Sequence, residues 1–324
     1  MENRRMAGHL AAVFTIVVWG TTFISTKVLL KDFQPVEILF IRFVMGYIAL
    51  WLARPGRLDR FAAAGAAGAA GAGAGFAGTG GAGGGDSAAK RELIFCLAGL
   101  CGVCLYYLLE NIALTYTLAS NVGVIISAAP FFTAILTHLF AREKERMGVN
   151  FFVGFVVAMA GICLISFNGS AMELNPTGDL LALLAAFVWA CYSILTRKIG
   201  EYGYNTIRST RRIFGYGILF MIPALFIFGF EFGPWRFAEP VYLLNLIYLG
   251  LGASATCFVT WNFAVRALGA VKTSVYIYLV PVITVVTSVL VLGEVITAMS
   301  GLGTVLTLAG LALSELRIGK REKK

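Results

Sequence analysis

A glutamate at position 110 stands inside an apolar run, beside Tyr106, Tyr107 and Asn111. A carboxylate in hydrocarbon costs several kcal/mol unless it is protonated, paired or wet, so Glu110 is expected to face the inside of a helix bundle. Three chemistries are open to it there: relaying a proton, holding an ammonium group, or hydrogen-bonding a neighbouring helix. Thr15, Trp19, Thr22 and Thr26 recur at steps of four, three and four and fall on one helical face. Such polar tips need a cavity or a neighbouring helix, unless the hydroxyls bond back to the preceding turn. A second stripe reads Ala185, Trp189, Tyr192 and Thr196. Two indoles near mid-span suit aromatic walls of one cavity, with interfacial anchoring as the competing account.

Other candidates are weaker. Asn111 and Asn262 suit hydrogen bonds between helices, and Trp261 sits beside the latter. Arg42 and Arg212 lie one to two turns inside apolar runs, where snorkelling or capping of helix-end carbonyls explains both; an ion pair of Arg42 with Glu110 or with a bound carboxylate is the alternative. Pro130 and Pro281 interrupt helical runs and suit hinges. Glu143 and Glu294, at the ends of those runs, read as interfacial contacts. All six cysteines lie in apolar runs, so no disulfide is expected, and the Cys101-x-x-Cys104 spacing has no second pair or His cluster to make a metal site. His9 and His138 are isolated, and neither a zinc-protease nor a Ser/His/Asp pattern nor a Walker motif is present. Neither a catalytic set, a metal nor a cofactor is therefore expected.

The elements that must carry these residues are membrane helices. In 324 residues the hydrophobic fraction is 59% and the charged fraction 13%, with mean hydropathy +0.83. One soluble core cannot hide that much apolar surface. The apolar residues fall into ten runs, each able to cross roughly 30 Å of hydrocarbon as a helix, near 9–31, 36–53, 92–114, 118–140, 148–167, 178–198, 210–230, 240–264, 270–292 and 297–316. No cleavable leader is evident, so the first run is expected to anchor. Residues 62–85 are almost pure Ala and Gly and read as a mobile loop. The net charge of +9 does not form a basic stripe interleaved with aromatics, so no nucleic-acid partner is expected. Of the 26 Lys and Arg, 22 fall on the side of the N-terminus, which predicts that both termini are cytoplasmic.

The chain also repeats itself. A shift of 170 pairs Gly8 with Gly178, Trp19 with Trp189 and Arg42 with Arg212. Beyond the Ala/Gly loop the shift is 151, pairing Asn111 with Asn262, Ala113 with Ala264, Pro130 with Pro281 and Glu143 with Glu294; Glu110 falls on Trp261. Then it is 149, pairing Gly154 with Gly303 and Gly161 with Gly310. Five spans per half, an odd number, predict two halves of opposite orientation, 1–167 and 168–324. Inverted repeats are the architecture of secondary transporters, which bind substrate near the midplane between the halves.

With Trp19-Gly20-Thr21-Thr22-Phe23, Arg42-Phe43, and the paired segments Pro130 to Glu143 and Pro281 to Glu294, each followed by a Gly-rich helix, the chain resembles the drug/metabolite transporter superfamily, in its ten-helix EamA-domain form. The resemblance covers nearly the whole chain outside 62–85. It implies a central cavity lined mainly by helices 1, 3, 4, 6, 8 and 9, with helices 5 and 10 peripheral. It leaves the substrate open, because the family carries amino acids, sugars, nucleotides, cofactors and toxic compounds.

The expectation is thus an all-α, ten-span secondary transporter of the inner or plasma membrane, a monomer or homodimer, exporting a small metabolite such as an amino acid. Trp19, Thr22, Tyr107, Glu110, Asn111, Trp189, Tyr192, Trp261 and Asn262 are the candidate substrate contacts, Glu110 the candidate proton carrier, and Pro130 and Pro281 the candidate hinges. A multidrug-like exporter of lipophilic cations, with Glu110 as counter-charge, is the first alternative. An intramembrane enzyme or lipid-handling protein is the second and lacks the clustered reactive groups it would need.

Overall fold

A computed structural model describes residues 2–56, 87–116, 119–140, 149–167, 176–231, 233–292 and 298–315. The Ala/Gly segment 62–85, Glu143, Glu294 and most of the basic C-terminal tail lie outside these. Every regular element among the described residues is helical. In chain order they are α1 (Glu2–Leu29), α2 (Pro35–Ala53), α3 (Ala88–Tyr116), α4 (Ala119–Ile126), α5 (Ala129–Phe140), α6 (Val149–Phe167), α7 (Pro176–Glu201), α8 (Thr206–Phe228), α9 (Pro240–Leu268), α10 (Ala270–Val275), α11 (Leu279–Leu292) and α12 (Ala298–Glu315).

Six of these are long and apolar enough to cross a membrane: α1, α2, α3, α7, α8 and α9. Four more apolar stretches are shorter: Ala129–Phe140, Val149–Leu164, Ala270–Ile283 and Gly301–Ser314. The fourth and ninth runs are interrupted near Pro130 and Pro281, as expected from sequence. The fourth breaks at Ser127 and Ala128, between α4 and α5, and the ninth tightens to a 3-10 turn at Tyr276–Tyr278. The cause is in both cases the proline downstream. Its ring collides with the carbonyl four residues back and it offers no N–H, which disturbs Ile126 and its neighbours before Pro130, and Ile277 before Pro281.

The caps follow local chemistry. Pro35 supplies a preset φ in the first turn of α2, and Glu37 accepts from the Gln34 backbone N–H at 2.8 Å in a capping box. Asn205 caps α8 by accepting from the Arg208 N–H at 3.2 Å. Gly269, at φ +93°, turns the chain between α9 and α10 in a conformation other residues resist.

Packing runs between the halves. α1 lies antiparallel to α9: Gly8 meets Ala267, Thr15 lies 2.6 Å from the Thr260 hydroxyl, the Trp19 indole donates to the Ala253 carbonyl at 3.0 Å, and Thr21 meets the Tyr248 hydroxyl. α7 lies the same way against α3, with Tyr192 over Gly102 and Trp189 4.7 Å from Tyr106. Both α3 and α9 loosen to π-helical winding, at Leu100–Leu105 and Tyr248–Thr256, and the shift of 151 carries the first segment into the second. Such π-bulges mark places where a helix is bent to serve a site. A Cβ on Gly102 would sit 2.1 Å from the Tyr192 ring, so only glycine fits there.

α6 and α12 form a separate antiparallel pair at the margin. A Cβ on Gly161 would lie 2.5 Å from the Gly303 carbonyl, and one on Gly154 would lie 2.6 Å from the Gly310 carbonyl. Backbones this close are what small residues allow in lipid, where dispersion rather than water exclusion holds helices together. Phe152 and Val156 on α6, and Leu302 and Val305 on α12, are exposed, as a lipid-facing surface requires.

Candidate functional site

The buried centre of the bundle is aromatic. Trp19 and Trp189 meet edge to face with centroids 5.2 Å apart, and Trp261 lies 5.1 Å from Trp19 and 5.9 Å from Trp189. Phe258 packs against both first indoles, and Phe43, Phe214 and Tyr107 continue the cluster. Edge-to-face contacts add roughly 0.5–1.5 kcal/mol each beyond area burial, so this centre is stiff.

A cavity opens on that cluster, with about 540 Å³ of non-atom space that includes part of its open mouth. Trp19 and Thr22 of α1, Tyr106, Tyr107 and Glu110 of α3, and Trp189 of α7 supply its polar and aromatic lining. Gly123, Ile126 and Ser127 come from the broken end of α4, and Ile277 and Val280 from the disturbed turn before Pro281. The two proline-induced breaks therefore border the cavity. Glu110 is the one charged side chain in this lining among the described residues. It is buried, shares a side-chain hydrogen bond with Tyr106 one turn before it, and has an Oε2 with no partner. The Trp189 Nε1–H is likewise buried and unpartnered.

The remaining candidates differ in placement. Thr22 lines the cavity, but its hydroxyl donates to the Trp19 carbonyl at 2.7 Å, leaving only lone pairs for a ligand. Thr15 bonds back to the Ala11 carbonyl at 2.8 Å. Tyr192, Trp261 and Asn262 sit outside the lining. The Tyr192 hydroxyl donates to Asn262 Oδ1 at 2.9 Å, and Asn262 Nδ2 donates to the Thr210 hydroxyl at 3.0 Å. Asn262 borders a second hollow of about 280 Å³ with Thr196, Ser209 and Arg266. Asn111 is buried away from both, with an unpartnered Nδ2. Hydrogen bonding between helices, the bland account of the asparagines, describes Asn262 as the structure has it.

Arg42 corrects the snorkelling expectation. Only 3% of it is exposed, its Nε donates to Ser254 Oγ at 2.8 Å, and its guanidinium lies 4.7 Å from the Tyr107 ring centroid. It points inward and acts electrostatically on Glu110. Ser254 belongs to the π-wound part of α9, so the loosened helix supplies the partner that makes this burial tolerable. Its counterpart Arg212 instead pairs with Glu92, which also receives the Tyr216 hydroxyl, in a half-exposed cluster.

The EamA-like transporter family model matches residues 6–167 and 176–316 of this helical chain. The chain belongs to the EamA-like transporter family. It is a multi-pass membrane protein of the drug/metabolite transporter superfamily. A relative from Archaeoglobus fulgidus, named an uncharacterized transporter, is 27% identical over 312 residues, covering 94% of this chain and 96% of its own. A Streptantibioticus cattleyicolor protein named "Probable terminal-alkyne amino-acid exporter" is 26% identical, covering 97% of this chain and 95% of its own. One crystal structure matches with a TM-score of 0.70 at 17% identity, over 98% of this chain and 99% of that one, and so shares the fold.

Sequence reasoning overlooked Gly123, Ile126, Ser127, Ile277 and Val280 in the transporter's cavity. The signal was available: a proline points to a break three or four residues before it, and a broken helix in a membrane protein exposes backbone where a cavity can use it. It also overlooked the buried pair at one end of the bundle, where Glu37 receives Arg236 Nη1 at 2.9 Å and Nη2 at 3.2 Å. Nothing in the sequence couples two residues so far apart and outside the repeat.

Proposed function

We propose that this transporter is a secondary active exporter of a small amine-bearing metabolite of the amino-acid class, working by alternating access between two inverted five-helix repeats. The observation that carries the reading is the cavity on the Trp19–Trp189 pair, in which Glu110 presents an unpartnered buried carboxyl oxygen beside Tyr106 and Tyr107. A buried acceptor without a partner is costly, and a ligand ammonium group relieves it.

Six long and four shorter apolar helices support ten spans. Reciprocal contact supports the inverted repeats. Gly154 meets Gly310, the counterpart of Gly161, while Gly161 meets Gly303, the counterpart of Gly154. Such exchange is the signature of a two-fold axis between two antiparallel copies. In this reading α5 and α11 rock about the breaks before Pro130 and Pro281, both termini are cytoplasmic, and the protein resides in the inner or plasma membrane.

Glu110→Gln in reconstituted vesicles tests the role of the carboxyl. If Glu110 carries the coupling proton, transport driven by a pH gradient disappears while exchange of labelled amino acid at equal pH persists. If it binds the ammonium group, both disappear. Undiminished gradient-driven transport in the Gln variant would leave Glu110 a structural residue and remove the basis of this reading. An exporter of lipophilic cations would use the same carboxylate as counter-charge, and Arg42 bears on that choice.

A further inference from the structure

We propose that the cavity selects a zwitterion, a molecule with separate positive and negative groups and no net charge, and that Arg42 enforces this from behind the cavity wall. The inference rests on the reading of this cavity as the transport site. Two of its buried polar atoms lack partners: Glu110 Oε2, an acceptor, and Trp189 Nε1–H, a donor. A ligand that satisfies both brings a donor and an acceptor of its own, as an ammonium and a carboxylate do.

The charge balance points the same way. Arg42 does not line the cavity, yet its guanidinium stacks on Tyr107, which does, and its field reaches Glu110. Its Nε donates to a neutral group, the Ser254 hydroxyl. The other buried acid among the described residues, Glu37, is occupied by Arg236. Arg42 and Glu110 therefore cancel when both are charged. A lipophilic monocation entering such a site leaves one positive charge uncompensated in a medium of low dielectric, whereas a zwitterion leaves none. Arg42 is thus a positioning residue that acts through Tyr107 and Glu110, and it turns a cation-accepting carboxylate into a site for neutral amino-acid-like molecules.

Matched ligands of one shape and three charges test this. Calorimetric titration of the purified full chain in detergent compares L-phenylalanine with its methyl ester, a monocation, and with N-acetyl-L-phenylalanine, a monoanion; a leucine set repeats it. The wild type should bind the amino acid tighter than the ester by on the order of tenfold to a hundredfold. Arg42→Gln should reverse that order, and Arg42→Lys, which keeps the charge, should preserve it. Glu110→Gln should move the preference to the N-acetyl compound, and this arm decides the matter if Arg42→Gln does not fold. A wild type that prefers the ester, with that binding lost in Glu110→Gln, keeps the transport site and refutes the charge rule. Unchanged preference in a folded Arg42→Gln also refutes it. If no ligand of either set binds the wild type, the amino-acid reading of the site falls, and the zwitterion rule with it.

Discussion

Removing Arg236 should destabilise the transporter more than any other single change of a charged residue at that end of the bundle. Its guanidinium spans two loops, donating to both oxygens of Glu37 and to the carbonyls of Asp32 and Glu231, and it lies 4.4 Å from the Phe33 ring centroid. Glu37 has no exposed side-chain surface and the Arg236 side chain is 14% exposed. Arg236→Met leaves a buried carboxylate held only by the backbone N–H groups of Gln34 and Glu231, each at 2.8 Å. Breaking one side of a buried pair costs about 3–5 kcal/mol, and the two remaining donors put the expectation near the lower end, about 3 kcal/mol. Glu37→Gln should cost less, about 1–2 kcal/mol, because Arg236 keeps two carbonyls and an aromatic face. The double variant should then lose less than the sum of the singles by at least about 1 kcal/mol. Equilibrium unfolding in mixed micelles of dodecyl sulfate and a mild detergent gives all four corners of the cycle. Strict additivity, or an Arg236→Met variant within about 0.5 kcal/mol of wild type, would show that the pair does not clamp the loops.

Two further predictions concern packing and topology. Gly161→Val should cost upward of about 2 kcal/mol or prevent folding, because its Cβ would collide with the Gly303 carbonyl and the Thr307 nitrogen, whereas Gly301→Ala, with nothing within 4 Å, should be neutral or stabilising in the same unfolding assay. Single cysteines at residues 5 and 322, in a background with all six native cysteines replaced, should resist membrane-impermeant thiol reagents in intact cells, and deletion of residues 65–83 should leave transport intact. Labelling from outside at either position would reverse the orientation.

The helical, multi-pass character was legible because spans of apolar residues leave few alternatives in lipid, and the doubled motifs carried the family. Trp19 and Trp189, matched by the shift of 170, lie 5.2 Å apart, as matched residues near the axis of the proposed repeat would. Periodicity could not say which polar residues reach the cavity. Tyr192 and Asn262 lie on plausible faces, yet they satisfy each other behind Trp189, since a hydroxyl and an amide close together prefer a direct bond to an open surface. Arg42 was misread because one helix's sequence does not show what the facing helix offers. Its partner Ser254 comes from the other half, at a π-wound segment that no periodic pattern announces.

In the proposed inverted repeat, the positions where the two copies differ include buried charged residues, Glu110 and Arg42. Scaffold contacts can be duplicated without penalty, because each copy meets its own partner: Gly154 and Gly161 reappear as Gly303 and Gly310, and the π-wound segments recur. A single cavity close to the axis of the proposed repeat would be different, since both copies of any residue there would project into the same space. Two carboxylates at the positions of Glu110 and Trp261 would repel across a medium that screens poorly, and two inward arginines would do likewise. The sequence keeps a carboxylate in the cavity lining at one of the matched positions, with the Trp261 indole outside that lining at the other, and turns one arginine of the pair inward to Ser254 while the other goes to Glu92. On the proposed inverted-repeat reading, the departures from symmetry at positions 110, 261, 42 and 212 fit one charged site on a two-fold scaffold.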